Sequence, residues 1–291
     1  MGELVGIGLG AQGGARIGGP GFHRLLKLPF FGRFMKPWRW PLDVPRDLYE
    51  RAEVPSRSGA TLQVLLRRAP TESPSGVALF AHPMGLAAKG FWLKYGHAEA
   101  FVARGYHVVA FDFNGFGESP SANFDYPGDV ISVARFVRRR FPGRRVVLVG
   151  ASFGAMRSLE AAAEAPGLVD AVVAEAAAPT LPDFWKHYPL PYAVLQASRW
   201  IVPAWEKRLR PELLLSRAKT LPPTLLIHSR TDRWTPPGFG DRIERATAGR
   251  GRVDRLIVDH AEHTHAFRDA RDAYMARVFG FLDSVNESKE Q

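Results

Sequence analysis

The sequence predicts an α/β protein with a mostly parallel central sheet and helices on both faces. Three observations carry this. Six short, β-branched apolar runs recur between residues 77 and 258. They are continuously apolar rather than alternating, as expected of strands covered on both faces. The stretches between them place apolar residues at helical spacing, so strands and helices alternate. Length and composition agree. A chain of 291 residues, 46% hydrophobic and 23% charged, is ordinary for a globular domain, and this excludes collagen-like, low-complexity or wholly disordered classes.

The elements follow in order. Residues 1–21 hold nine of the 28 glycines and read as flexible. Residues 22–41 (FHRLLKLPFFGRFMKPWRWP) interleave aromatic and basic side chains, and Pro29 and Pro37 are expected to break any long helix. Residues 1–45 therefore form an N-terminal arm ahead of a main domain over 46–291. Two readings of the arm stand side by side: its aromatics pack on the domain, or they make peripheral contact with a membrane interface. Strands are expected at 77–81, 107–113, 145–149, 169–174, 224–228 and 255–258, and helices at 94–104, 126–141, 153–165 and 264–285. Residues 180–222 break the alternation. They are too long for a plain crossover and carry Trp185, Tyr188, Tyr192, Trp200 and Trp205, so they read as an inserted helical lid. The lid and the nearby Trp234 offer an apolar substrate surface (Trp185, Tyr188, Tyr192, Trp234), or simply the core of the insert.

Charge and cysteine content narrow the function. The net charge is +10, but residues 1–41 already hold six cations against one acid, and the rest of the surplus is diffuse. No nucleic-acid reading module accompanies it, so a solvated surface is expected rather than a nucleic-acid partner. Cysteine is absent, which removes disulfides, cysteine nucleophiles and cysteine metal sites. No apolar run reaches membrane-spanning length. The Met-Gly-Glu-Leu start lacks the basic region of a secretory signal, and Gly6 breaks the myristoylation pattern. A cytoplasmic protein is expected, membrane-peripheral if the arm makes that contact. Oligomeric state is left open.

The chemistry gathers around Gly150-Ala151-Ser152-Phe153-Gly154, a G-x-S-x-G pattern. It directly follows a strand and directly opens a helix, the setting a nucleophile elbow requires. Serine is a poor nucleophile unaided and needs a base, which in turn needs a carboxylate to fix its tautomer. Asp232 lies just after the strand at 224–228; His260, His263 and His265 follow the strand at 255–258. Catalytic groups collect at the C-terminal ends of parallel strands, so these positions converge. Glu175, at the end of the strand before, is a rival acid or a cap. The H-x-x-H-x-H spacing with Asp259 admits a metal reading but lacks the H-x-H-x-D-H order of a metallo-β-lactamase-like site, so no metal is expected. No cofactor is expected either: the elbow carries a serine and no phosphate-binding lysine.

Over residues 46–286 the chain resembles the α/β-hydrolases. Phe80-Ala81-His82-Pro83-Met84-Gly85 resembles their HG loop, and Asp112-Phe113-Asn114-Gly115-Phe116-Gly117-Glu118-Ser119 their D-x-R-G-x-G-x-S turn. GASFG resembles the elbow, TDRWTPP the acid loop and DHAEHTHAF the histidine loop. Within the family the spelling is most similar to serine-aminopeptidase-like and Bem-type esterase branches. The resemblance implies an α/β-hydrolase fold and places the histidine at His263, with His265 and His260 as alternatives. Two positions depart from the pattern: Pro83 stands where Gly is common and Asn114 where Arg is common. Pro83 has no N–H, so the expected oxyanion donors are the backbone amides of Met84 and Phe153, each worth roughly 3–4 kcal/mol in the transition state. His82 is expected to orient its loop and Asp112 to brace its turn. The implied activity is serine-dependent hydrolysis of a small-molecule carboxylic ester, largely apolar, through an acyl-enzyme formed by Ser152, His263 and Asp232. Amide or peptide hydrolysis and acyl transfer share the same residues. A binding protein on a hydrolase scaffold is the alternative of another class.

Overall fold

Five inner strands are buried along their whole length, which is why each reads as unbroken apolar text: β3 (Gly76–Ala81), β4 (Tyr106–Phe111), β5 (Val146–Ala151), β6 (Ala171–Glu175) and β7 (Thr224–Ser229). They lie in a computed structural model that describes residues 20–201 and 210–290. The sheet has eight strands in the order β1-β2-β4-β3-β5-β6-β7-β8, where β1 is Glu50–Pro55, β2 is Thr61–Arg67 and β8 is Val253–Val258. From β4 to β8 every pairing is parallel; β1 and β2 form an antiparallel hairpin that joins β4 antiparallel. The hairpin was not expected from sequence. Its strands mix charged and apolar residues, and its turn is carried by Gly59 at φ 89°, with Ser56 N–H donating to the Ala60 carbonyl.

Helices cover both faces. On one, α4 (Tyr126–Arg140) and α5 (Phe153–Glu164) pack together, followed by α8 (Pro211–Leu215) and α9 (Pro237–Thr247). On the other, α3 (His97–Ala103) and α11 (Arg271–Glu290) meet through Phe101 and Phe279 at 5.0 Å. The helix expected at 94–104 is two pieces, because Gly96 at φ 79° breaks it between α2 (Gly90–Lys94) and α3. The closing helix is likewise preceded by a short α10 (Ala266–Asp269). The segment between β6 and β7 carries α6 (Leu181–Trp185), α7 (Pro189–Ile201) and α8. Trp205 and residues 1–19 lie outside the described residues.

The arm departs from expectation. Pro29 does not prevent a helix: α1 spans Pro20–Phe31, with Pro29 so near its C-terminal end that the bond it removes, from its own position to the Leu25 carbonyl, affects only the final turn. Lys27 and Phe31, four apart on one face, are buried, while Leu25, Leu26 and Leu28 face outward. Trp38 is buried farther along the arm. Among the described residues no helix is long and apolar enough to cross a membrane.

Candidate active site

Parallel strands in register bring their C-terminal ends to one edge. Ala151 of β5 pairs with Glu175 of β6, Glu175 with Ile227 of β7, and Ser229 of β7 with Val258 of β8. The loops leaving these ends therefore share one rim. Ser152 leaves β5 at φ 48°, ψ −111°, a strained conformation for a residue with a side chain. Small neighbours make the turn possible. A Cβ on Gly154 would sit 2.0 Å from the Ala81 carbonyl oxygen, and one on Gly150 2.7 Å from Ala155 Cα. Strand β3 and helix α5 approach the turn too closely for anything larger. The Ser152 N–H donates to the Glu175 carbonyl at 2.8 Å, which locks the turn to the next strand.

Asp232 follows β7 and is buried. The N–H groups of Trp234 and Thr235 donate to its Oδ1 at 2.8 and 3.2 Å, and the Thr235 hydroxyl donates to Oδ2 at 2.5 Å. Burial alone would push this carboxyl up. The bonds from His263, Thr235 and Trp234, with the nearby imidazole charge, outweigh it and hold the pKa at about 2. His263 follows β8. Its Nδ1 lies 2.7 Å from Asp232 Oδ2 and its Nε2 2.8 Å from Ser152 Oγ. Ionised Asp232 can only accept, so Nδ1 carries the proton and Nε2 is free to accept from the serine hydroxyl. One hydrogen-bonded line thus runs from Asp232 through His263 to Ser152.

The other candidates occupy different places. His265 has its Nδ1 on the His263 carbonyl at 3.0 Å and its ring against Tyr95, and His260 is exposed. Glu175 does not serve His263. Its Oε1 accepts the Ala266 N–H at 2.9 Å and caps α10, while burial raises its pKa to about 7. Among the described residues no three His, Asp or Glu side chains stand where they could share a metal ion.

His82 is fully buried between two backbone groups. The Phe113 N–H donates to its Nε2 at 3.1 Å, and its Nδ1 donates to the Pro83 carbonyl at 2.7 Å. Burial lowers its pKa to about 4, so it is neutral. The consequence falls on Met84. In a trans peptide the C=O of Pro83 and the N–H of Met84 point in opposite directions, so a hydrogen bond on that carbonyl sets the direction of that amide. Asp112 braces the turn that follows β4. Its carboxylate accepts from Lys89 N–H and Nζ and from Glu118 N–H, at 2.5–2.9 Å, and a Cβ at Gly117 would strike it. Asn114 donates through Nδ2 to Asp129 at 2.7 Å, while Lys27 of α1 reaches in to its side-chain oxygen. The amine of an arm lysine thus stands beside Asn114, its pKa lowered by burial to about 7 against the opposing pull of Asp129.

A cavity of only about 10 Å³, room for one water, opens beside Ser152. Met84, Phe153 and Trp185 line it, as do Phe31, Met156, Leu181 and Phe184, none of which was singled out from sequence. Tyr188 and Trp234 stack on each other at 5.4 Å, and Tyr188 meets Trp185 at 5.3 Å, which forms a rim beyond the cavity. Tyr192 stands apart, in a polar cleft of about 190 Å³ with Asp183, Lys186 and Arg242. Phe31 lies over a hundred residues from the serine in sequence, with no local signal to join them. Thr235 lies inside the TDRWTPP text, its hydroxyl three residues after the acid, which is the local signal for its role.

Comparisons with known proteins agree with this architecture. A family model described as alpha/beta hydrolase fold matches residues 83–200, from the Pro83 loop through the elbow. No curated protein matches the sequence. Among solved structures, the Pyrococcus furiosus esterase Pf2001 superposes with a TM-score of 0.69 at 17% identity, over 85% of this chain and 96% of that one. The esterase domain of a Rhodothermus marinus protein gives 0.58 at 21% identity, over 82% and 98%. An acylaminoacyl peptidase from Pyrococcus horikoshii gives 0.57 at 16%, over 81% of this chain but only 41% of the peptidase. With its β5 elbow, its eight-stranded order and these likenesses, the chain has the α/β-hydrolase fold.

Proposed function

We propose that the protein is a serine hydrolase that cleaves a carboxylic ester through an acyl-enzyme. The observation that carries this is the unbroken line Asp232–His263–Ser152, with contacts of 2.7 and 2.8 Å. Ser152 Oγ attacks the ester carbonyl as His263 Nε2 takes its proton, and Asp232 stabilises the imidazolium. The negative charge that develops on the carbonyl oxygen is met by the amides of Met84 and Phe153. Collapse expels the alcohol, which takes the proton from His263. Water then gives its proton to His263, attacks the acyl carbon and releases the acid, and the proton returns to Ser152. The apolar lining of the cavity favours an apolar acyl group. Amide hydrolysis would use the same residues, with His263 protonating an amine. The branch expected from the motifs, serine-aminopeptidase-like or Bem-type esterase, belongs to this proposal.

The test is hydrolysis of a p-nitrophenyl ester series from acetate to palmitate by wild type and Ser152→Ala. Activity that depends on Ser152 supports the reading; equal activity in the variant overturns it.

The outward leucines of α1, flanked by Arg24, Arg33 and Lys36 with no acid between residues 20 and 42, also favour a peripheral contact with an anionic membrane. Co-sedimentation with anionic vesicles that is lost in a Leu25→Ser, Leu28→Ser variant supports this. Equal sedimentation of both proteins, or none by the wild type, dismisses it.

A further inference from the structure

We propose that α1 is a working wall of the site: Phe31 sets the size of acyl group that Ser152 accepts, and Lys27 positions it. This rests on the hydrolase reading above.

The free space beside Ser152 is only about 10 Å³, so seating a long acyl chain there needs a wall to yield. Met84, Phe153 and Met156 belong to the loop and helix that carry the nucleophile and the oxyanion amides, and moving them would undo the chemistry. The remaining walls are Phe31 from α1 and Leu181, Phe184 and Trp185 from the β6–β7 insert. Phe31 stands at the junction of these groups. Its ring meets Phe153 at 5.6 Å on the catalytic side and Trp185 at 6.3 Å on the insert side. It also meets Phe116 at 5.7 Å and Tyr126 at 5.9 Å. These are edge-on contacts that fix where the ring sits.

A polar contact holds α1 in place beside these aromatic ones. Lys27, one turn before Phe31 on the same face, is fully buried. Its Nζ donates to the Asn114 side-chain oxygen and carbonyl and lies 4.8 Å over the Tyr126 ring. The outer face of α1 carries exposed Leu25 and Leu28, so among the described residues nothing packs over the helix from outside. Loosening the Lys27 contact should therefore let Phe31 retreat while the hydrogen-bonded line Asp232–His263–Ser152, whose partners lie outside α1, stays in place.

The experiment measures kcat/KM for p-nitrophenyl acetate and octanoate and takes their ratio in each protein. In Phe31→Ala the octanoate-to-acetate ratio should rise about tenfold or more, since each newly accommodated methylene is worth roughly fourfold. Phe31→Leu, which keeps an apolar anchor for α1, should rise by less, and serves if the alanine variant does not fold. Lys27→Met should shift the ratio the same way, and Lys27→Arg should restore it. A merely structural role would lower both rates and leave their ratio fixed. Ratios within twofold of wild type in both Phe31 variants overturn the proposal. Fluorophosphonate labelling of Ser152 in each protein separates the two failures. An unlabelled wild type sinks the hydrolase reading, whereas labelling with unchanged ratios sinks the Phe31 wall alone.

Discussion

Replacing Thr235 by Val tests how much the support of Asp232 contributes. The change is nearly isosteric at a fully buried position and deletes one hydroxyl. That hydroxyl donates to Asp232 Oδ2 at 2.5 Å, the same oxygen that faces His263 Nδ1 at 2.7 Å. A hydrogen bond to a charged group contributes about 1.5–3 kcal/mol, so the ceiling on the loss is roughly 10- to 150-fold. Asp232 keeps the Trp234 and Thr235 amides and His263, and its charge is already present before reaction. The expected loss is therefore near the lower end, about tenfold in kcat/KM for p-nitrophenyl acetate, with most of it in kcat. Stability responds as well. The Asp232 pKa, held at about 2 against an ordinary 3.8, contributes about 2 kcal/mol above pH 4, which is lost as pH falls through 2. Without the hydroxyl the carboxyl rises and that loss begins at higher pH. Thr235→Ser keeps the donor and should behave as wild type. Rates within twofold and an unmoved acid limb in Thr235→Val would refute the argument.

Two other perturbations probe the frame of the site. Gly154→Ala forces a Cβ to 2.0 Å from the Ala81 carbonyl, a backbone contact that cannot give way cheaply. It should cost about 3 kcal/mol, seen as a drop of roughly 6–12 °C in Tm, and an unchanged melt would contradict the packing described. Glu175 is held by burial at a pKa of about 7, above its ordinary 4.5. A raised carboxyl binds its proton more tightly in the folded state, so folding stability should fall as pH rises from 4.5 to 7, by up to about 3 kcal/mol. Glu175→Gln should reduce that slope in urea titrations. It should not abolish it, because buried Glu160 is raised to about 7 as well. Identical slopes would count against the burial argument.

The parallel core was legible because strands buried on both faces leave no alternation to misread. Runs such as RVVLV and TLLIH say strand without ambiguity. The β1–β2 hairpin was not legible, since Glu50, Arg51 and Glu53 face solvent and break the apolar signal. The helical nature of α1 was hidden for another reason. Pro29 argues against a helix locally, whereas the reason for one lies in Lys27 reaching Asn114, 87 residues away. The same division runs through the site. An elbow demands small residues at fixed spacing around one serine, so Gly150, Ser152 and Gly154 announce themselves. Asp232 and His263 follow strands whose ends the parallel topology brings to one rim. Phe31 and Phe184 reach the cavity through tertiary packing alone, and aromatic residues in an arm or an insert look alike whether they line a cavity or a core. Tyr192, one aromatic of the insert among several, lies in the polar cleft instead.

The most direct test of the central claim is mass spectrometry of the protein after treatment with a fluorophosphonate, for wild type and His263→Ala in parallel. The account predicts a single adduct on the peptide containing Ser152, formed far more slowly when His263 is gone. No adduct on the folded wild-type protein, or equal labelling of both proteins, would contradict it.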